Sequence, residues 1–226
     1  MQTYQEDSQY LRAMEFYLSG QWDEAAQAFK ELSVTYPQES FILLLQGNIA
    51  YSRGELDRAV GFYEQAIASR EDFGNAYYKM GVCYYRMGRL KKALAAFQKV
   101  VDLGDQSHAM ASYFVGLIHL FLGDDESAST DFARFHQLSP ESMIANFYLA
   151  QLKIKHKEFP EALELLQQLA EVTPNFAEVH YMLGTVHYGL HNNTEAIQCF
   201  QRALELNPGD ERSKTKMTLL TEVQWP

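Results

Sequence analysis

The sequence predicts an all-α fold, a solenoid of antiparallel helix pairs followed by a C-terminal capping helix. Three observations carry that expectation: a recurring spacing of small and bulky residues, turn residues within each copy, and prolines at the ends of copies. Residues 177–208, AEVHYMLGTVHYGLHNNTEAIQCFQRALELNP, define the spacing. Gly184 precedes Ala196 by twelve residues, and Phe200, Ala203 and Pro208 follow that alanine by four, seven and twelve. The same frame returns five more times. Its small residue is Ala13, Gly47, Gly81, Gly116, Ala150 and Gly184; its alanine is Ala25, Ala59, Ala93, Ala128, Ala162 and Ala196. Its bulky residue is Phe29, Tyr63, Phe97, Phe132, Leu166 and Phe200, and the copies are 34, 34, 35, 34 and 34 residues apart. A fixed period of this size marks units that stack on their neighbours and share no single compact core.

Taken in order, residues 1–5 form a polar lead and six units follow at 6–39, 40–73, 74–108, 109–142, 143–176 and 177–210. Each unit reads as two helices. Gly20, Gly54, Gly88 and Gly123 mark the turn between them, because glycine tolerates the positive φ needed just past a helix end. Asp23 is positioned to cap the second helix of its unit. In the fifth unit Lys157 takes the glycine place and Pro160 opens the second helix; in the sixth, His191-Asn192-Asn193 fills the turn. Asparagine is the next best residue for it. Pro37, Pro140, Pro174 and Pro208 end their units, as proline does where a helix must stop. The extra residue of the 35-residue step is expected in a small irregularity at Gly104–His108.

The ends differ from the middle. Interior units carry apolar pairs seven residues apart, Ile42/Ile49, Ala76/Cys83, Ala111/Ile118, Ala145/Leu152 and Val179/Val186, one face of a helix for stacking on the preceding unit. The first unit has Ser8 and Glu15 there. Residues 211–226 read as one more helix, with Met217 and Leu220 turned toward the array and Lys214, Thr218 and Thr221 away from it. Polar terminal faces keep a solenoid soluble, so the array is expected to be complete.

Composition narrows the activity. A net charge of −10 argues against a general nucleic-acid binder, which needs a basic surface. The two cysteines, Cys83 and Cys199, suit buried thiols rather than a disulfide framework. No stretch has the length of a membrane span and the first residues lack the apolar core of a signal peptide. A cytoplasmic location is therefore the default expectation, a removed signal segment being compatible with the same sequence.

The six-fold register resembles that of the tetratricopeptide repeat family over nearly the whole chain. The resemblance implies a right-handed superhelix whose first helices line a concave groove for an extended peptide or a partner's helix. It places Tyr10, Leu44, Tyr78, Tyr113, Phe147 and Tyr181 in one groove row. A neighbouring row, Leu11, Leu45, Lys79, Phe114, Tyr148 and Met182, is more apolar than the family usually has, and Phe41, Met110 and Ile144 add to it. Such a stripe fits either partner contact or closer packing between helices. The resulting candidate partner-binding residues are Phe41, Leu45, Asn48, Tyr78, Lys79, Arg86, Met110, Tyr113, Phe114, Ile144, Phe147, Tyr148, Tyr181 and Met182. The two lysines, two asparagines and arginine with which some members hold chaperone C-terminal carboxylates are absent as a set.

The third unit carries six basic against two acidic side chains, and Lys79 and Arg86 among them lie on the groove side. They either reach solvent, pair within the protein or meet an anionic group of a ligand. A metal site is weighed at His180, His187 and His191, which share one helical stripe; the other reading has His180 and His187 packing between the helices of their unit. There is no nucleophile elbow and no phosphate loop. The expectation is a non-catalytic adaptor or assembly chaperone without cofactor, binding a protein segment with apolar and acidic residues. The alternative is a structural scaffold that self-associates into homo-oligomers.

Overall fold

The computed structural model describes residues 4–104 and 108–222. Among them are thirteen α-helices and no strand. By internal contacts the chain divides into two compact units, Met1–Ile118 and His119–Pro226. The first holds α1 (Ser8–Leu18), α2 (Trp22–Thr35), α3 (Ser40–Ser52), α4 (Leu56–Ser69), α5 (Gly74–Arg86) and α6 (Leu90–Asp102). The division falls within α7 (Met110–Leu122). The second unit continues with α8 (Asp125–Leu138), α9 (Ile144–Lys155), α10 (Phe159–Val172), α11 (Ala177–Gly189), α12 (Asn193–Leu206) and α13 (Glu211–Glu222).

Connections of three residues join α1 to α2, α3 to α4, α5 to α6, α9 to α10 and α11 to α12, and each of these pairs packs together. Links so short leave only antiparallel neighbours. They close in one way. The amide three residues past the helix end donates back to a carbonyl five residues earlier, as Glu55 N to Ala50 O (2.9 Å), Arg89 N to Tyr84 O (2.9 Å) and Glu158 N to Lys153 O (2.8 Å). This closure needs one left-handed residue. Gly20, Gly54, Gly88 and Gly123 supply it at φ between 73° and 80° or, for Gly88, 69°. Lys157 supplies it at 62°. In the sixth repeat His191 does so at 61°, not the asparagines, since Asn192 has φ −86°. Asp23 also departs from expectation. Gln21 holds the N-cap position, and Asp23 sits in the first turn of α2, where it forms an ion pair with Arg53.

The frame of small and bulky residues is a set of contacts. A Cβ on Gly47 would lie 2.4 Å from the Tyr63 ring, one on Gly81 2.8 Å from Phe97, and one on Gly184 2.6 Å from Phe200. In these three repeats the aromatic side chain of the second helix therefore lies on the bare backbone of the first. In the first unit, Ile42 and Ile49 of α3 pack with Tyr10, Ala13, Phe29 and Leu32, and Ala76 and Cys83 of α5 pack with Ala59, Tyr63 and Ala66. In the second, Val179 and Val186 of α11 join Ala162, Leu166 and Leu169. These apolar pairs stack on the repeat before them, whereas Ser8 and Glu15 of α1 are exposed.

Pro37, Pro140, Pro174 and Pro208 each stand two residues past a helix end, and Pro160 lies in the first turn of α10. On α13, Met217 and Leu220 are half-buried while Lys214, Thr218 and Thr221 are exposed. Ser213 is fully buried and donates to Asp210 Oδ2 (2.7 Å). The irregularity expected at Gly104–His108 falls mainly on residues 105–107, which lie outside the described residues, as do residues 223–226 of the expected last helix and 1–3 of the polar lead.

Candidate functional site

In the first unit the candidate residues gather around α5. Lys79 and Arg86 stand two turns apart on it, and no carboxylate among the described residues pairs with either. The Arg86 guanidinium lies 4.8 Å from the centre of the Tyr51 ring on α3, which gives its charge an aromatic face rather than an anion. Burial pushes the Cys83 thiol between them up to about 11, against the opposite pull of Arg86 and Lys79. This cysteine is a packed side chain, not a reactive one.

Aromatic rings pack on one another along the same helix and its neighbours. Phe114 stacks on Phe97 at 4.7 Å, and Tyr78 meets Phe97 edge-on at 5.7 Å. Tyr85 lies 5.3 Å and Tyr113 5.5 Å from Phe114. Burial raises the Tyr78 phenol, with a smaller contribution from Tyr51. Phe41 and Met110 are half-buried. Asn48 is held from both sides: its Oδ1 accepts from Tyr63 (2.9 Å) and its Nδ2 donates to the Tyr17 hydroxyl (3.3 Å). Its amide is thus already engaged within the repeat pair. Leu45 is 4% exposed and packs with Tyr10 and Phe29, so it is a core residue and not part of an open stripe.

In the second unit, Phe147 stacks on Phe176 at 5.8 Å and Tyr148 on Phe132 at 4.8 Å. Ile144 is 43% exposed at the start of α9. Met182 is 3% exposed and belongs to the core with Leu183 and Val186. One face of Tyr181 is covered by Arg212 of α13, 4.2 Å away, which also makes a two-pronged ion pair with Glu178 (3.1 and 2.6 Å). The apolar row read from the sequence is therefore interrupted at Leu45 and Met182. In both cases the side chain turns toward the neighbouring repeat, where burial of a large aliphatic group is favourable.

The three histidines do not converge. His180 Nε2 donates to the Pro174 carbonyl (2.8 Å), His187 Nδ1 is buried without a hydrogen-bond partner, and His191 occupies the turn. Among the described residues no group of three or more His, Cys, Asp and Glu side chains is placed to hold a metal ion. Sequence reasoning missed a different histidine. His119 Nδ1 lies 2.7 Å from Asp131 Oδ2, inside the α7–α8 pair. The signal was available, because sister repeats have Ala50 and Phe62 or Tyr84 and Ala96 at those places.

Residues 4–139 match the family model described as Iml2/Tetratricopeptide repeat protein 39, and residues 177–210 match the tetratricopeptide repeat model. The chain is 24% identical over 204 residues to anaphase-promoting complex subunit 3 of Schizosaccharomyces pombe, covering 90% of this chain and 30% of that protein. It is 25% identical over 209 residues to lipopolysaccharide assembly protein B of Escherichia coli K12, covering 86% and 52%. The chain thus spans about a third and about half of the length of these curated relatives. Among solved structures, YrrB, a TPR protein with an unusual peptide-binding site, superposes with a TM-score of 0.76 at 22% identity, over 84% of this chain and 98% of that one. No helix among the described residues is long and apolar enough to cross a membrane.

Proposed function

This chain belongs to the Iml2/tetratricopeptide repeat protein 39 family, and from that premise we propose that it is a non-catalytic adaptor or assembly scaffold that binds a segment of a partner protein. The relatives named above include a subunit of one assembly and a factor in another, which supports the coarse reading. The observation that carries the finer one is the pair Lys79 and Arg86, cations without a carboxylate partner among the described residues, on a helix where Arg86 lies over Tyr51 and Tyr78 and Tyr85 pack on Phe114. A cation among apolar groups gains most from an anion that arrives with its own apolar surroundings. The proposed ligand is an extended or helical segment whose acidic group meets Lys79 and Arg86 while its apolar side chains lie on the aromatic rings. Those apolar contacts supply most of the affinity and the charge fixes the register.

The test compares Lys79→Glu with Arg86→Glu against Lys91→Glu with Lys92→Glu, a pair on α6 with the same change in charge. Each pair also removes one cation from an aromatic face, Arg86 from Tyr51 and Lys92 from Tyr84. Partners retained by wild type are identified by mass, and folding is checked by circular dichroism. Selective loss in the α5 variant is expected; equal behaviour of the two variants removes the α5 surface from consideration. A self-associating scaffold is the second reading, favoured by Phe121 and Leu122, adjacent at the end of α7 and 63% and 53% exposed. Sedimentation of Phe121→Ser with Leu122→Ser decides it, a monomer of unchanged size in both proteins ruling it out.

A further inference from the structure

Helix α3 carries a second arrangement, apart from the α5 surface. Gln46 and Asn48 are two residues apart, about 200° around a helix, so their side chains leave α3 on nearly opposite sides. Gln46 lines a cleft of about 660 Å³ bounded by α2, α3 and α4. Its floor is apolar, made by Leu43, Ile49 and Ala50, with Phe62 in one wall. Gln46 is 8% exposed, yet its amide makes no hydrogen bond to the protein among the described residues. An amide so placed, open to the cleft and not bonded within the protein, offers a donor and an acceptor to a ligand.

The rim is basic. Lys30, Arg53 and Arg58 line the cleft against one carboxylate, Asp23, on a chain whose net charge is −10. Asp23 is taken up by Arg53, and Arg58 pairs with Glu55 while lying 5.7 Å from the Phe62 ring. Lys30 is exposed and has no carboxylate partner among the described residues.

We propose that this cleft binds an extended acidic segment of a partner protein, at a site separate from the α5 surface. The Gln46 amide pairs with one peptide unit of the segment, donating to its carbonyl and accepting from its N–H. An apolar side chain lies against Leu43, Ile49 and Phe62, and an Asp or Glu carboxylate meets Lys30 and Arg58. A peptide fits better than a compact anion on two grounds. The side-chain amide offers donor and acceptor together, as a peptide unit requires. The cleft runs beside α3 from Leu43 to Arg53 just past its end, about 15 Å, which an extended chain spans with four or five residues at about 3.3–3.6 Å each.

The probe is a randomised twelve-residue peptide display library selected on the immobilised wild-type protein. Enriched peptides are then synthesised and titrated by fluorescence polarisation against three variants. Lys30→Glu with Arg58→Glu alters exposed side chains only, Gln46→Leu alters the floor, and Lys79→Glu with Arg86→Glu reports on the α5 surface. All three are checked by thermal melts. The expected peptides carry Asp or Glu beside an apolar residue. Their affinity should fall about tenfold or more in the Lys30/Arg58 variant and several-fold in Gln46→Leu, and hold in the Lys79/Arg86 variant. Basic consensus sequences, peptides indifferent to the Lys30/Arg58 change, or no enrichment over an unrelated protein would overturn the proposal. So would binding lost only in the Lys79/Arg86 variant, which assigns the peptides to α5, or full competition by free citrate, which makes the cleft a small-anion site.

Discussion

Gly81 of α5 lies directly under the ring of Phe97 of α6, so close that a Cβ would stand 2.8 Å from the ring carbons Cδ1 and Cε1. Glycine inside a helix ordinarily weakens it by roughly 0.5–1 kcal/mol relative to alanine. Here the missing Cβ admits a fully buried aromatic ring. Gly81→Ala is expected to destabilise by about 1–3 kcal/mol, the range for overpacking a closed core. Phe97→Ala should cost about 3–5 kcal/mol. The two changes share one contact, so the double variant should lose less than the sum. Denaturant melts of the cycle check this; a stabilised Gly81→Ala would show that the ring can move away freely.

Lys157 and His191 hold the left-handed turn position that glycine fills in four other repeats. A residue with a Cβ there carries roughly 1–2 kcal/mol of strain, partly offset by the greater freedom that glycine has when unfolded. Lys157→Gly and His191→Gly should therefore each stabilise by about 0.5–1 kcal/mol, read as a raised denaturant midpoint. The opposite exchange, Gly54→Ala, should destabilise, although a Cβ on Gly54 meets nothing within 4 Å. A Gly54→Ala protein as stable as wild type would place the cost outside the backbone.

These two arrangements mark what the sequence could disclose. The fold was legible because Gly47, Gly81 and Gly184 recur in register with the rings they admit, and because the turn residues recur with them. Periodicity reports packing that repeats. It does not report polar groups that occur once, and so it passed over Gln46, the His119–Asp131 pair and Arg212. It also overextended the apolar stripe. Leu45 and Met182 share a register position with Lys79 and Phe114, but a few degrees of helix rotation decide whether such a side chain faces outward or into the next repeat, and spacing alone does not fix that angle.

The buried Asp131, partner of His119, makes a pH-dependent contribution whose sign is opposite to ordinary acid unfolding. Asp131 is 6% exposed, and burial pushes its carboxyl above the usual 3.8, against the pull of His119 and Arg134. Between that value and its raised one, the folded protein holds a proton that the unfolded chain has released. Stability conferred by this group is thus full below the ordinary value and declines as pH rises through the raised one. Asp131→Asn cannot titrate, so the stability of wild type relative to the variant should fall as pH rises above the ordinary carboxyl value of 3.8. Urea melts at several pH values measure it. A difference that grows with pH would mean that the ion pair outweighs burial.

The last helix tests whether apolar cover or charge holds α13 in place. Arg212 spans Glu178 and Asp210, but its side chain is 52% exposed, and exposed pairs contribute about 0–1 kcal/mol. Beneath it Ser213 is fully buried and Met217 and Leu220 are half-buried. Arg212→Ala should accordingly change stability by no more than about 1 kcal/mol. Deleting residues 211–226 should do far more, because it bares the side of α12 on which α13 packs and the face of Tyr181. A newly exposed apolar patch seeks a partner, so the truncated protein is expected to dimerise or aggregate while Arg212→Ala remains as wild type in sedimentation. If both proteins behave alike and stay monomeric, the helix adds length without covering anything. If Arg212→Ala alone reproduces the truncation, the ion pair and its contact with Tyr181 hold the helix, and the apolar side chains are secondary.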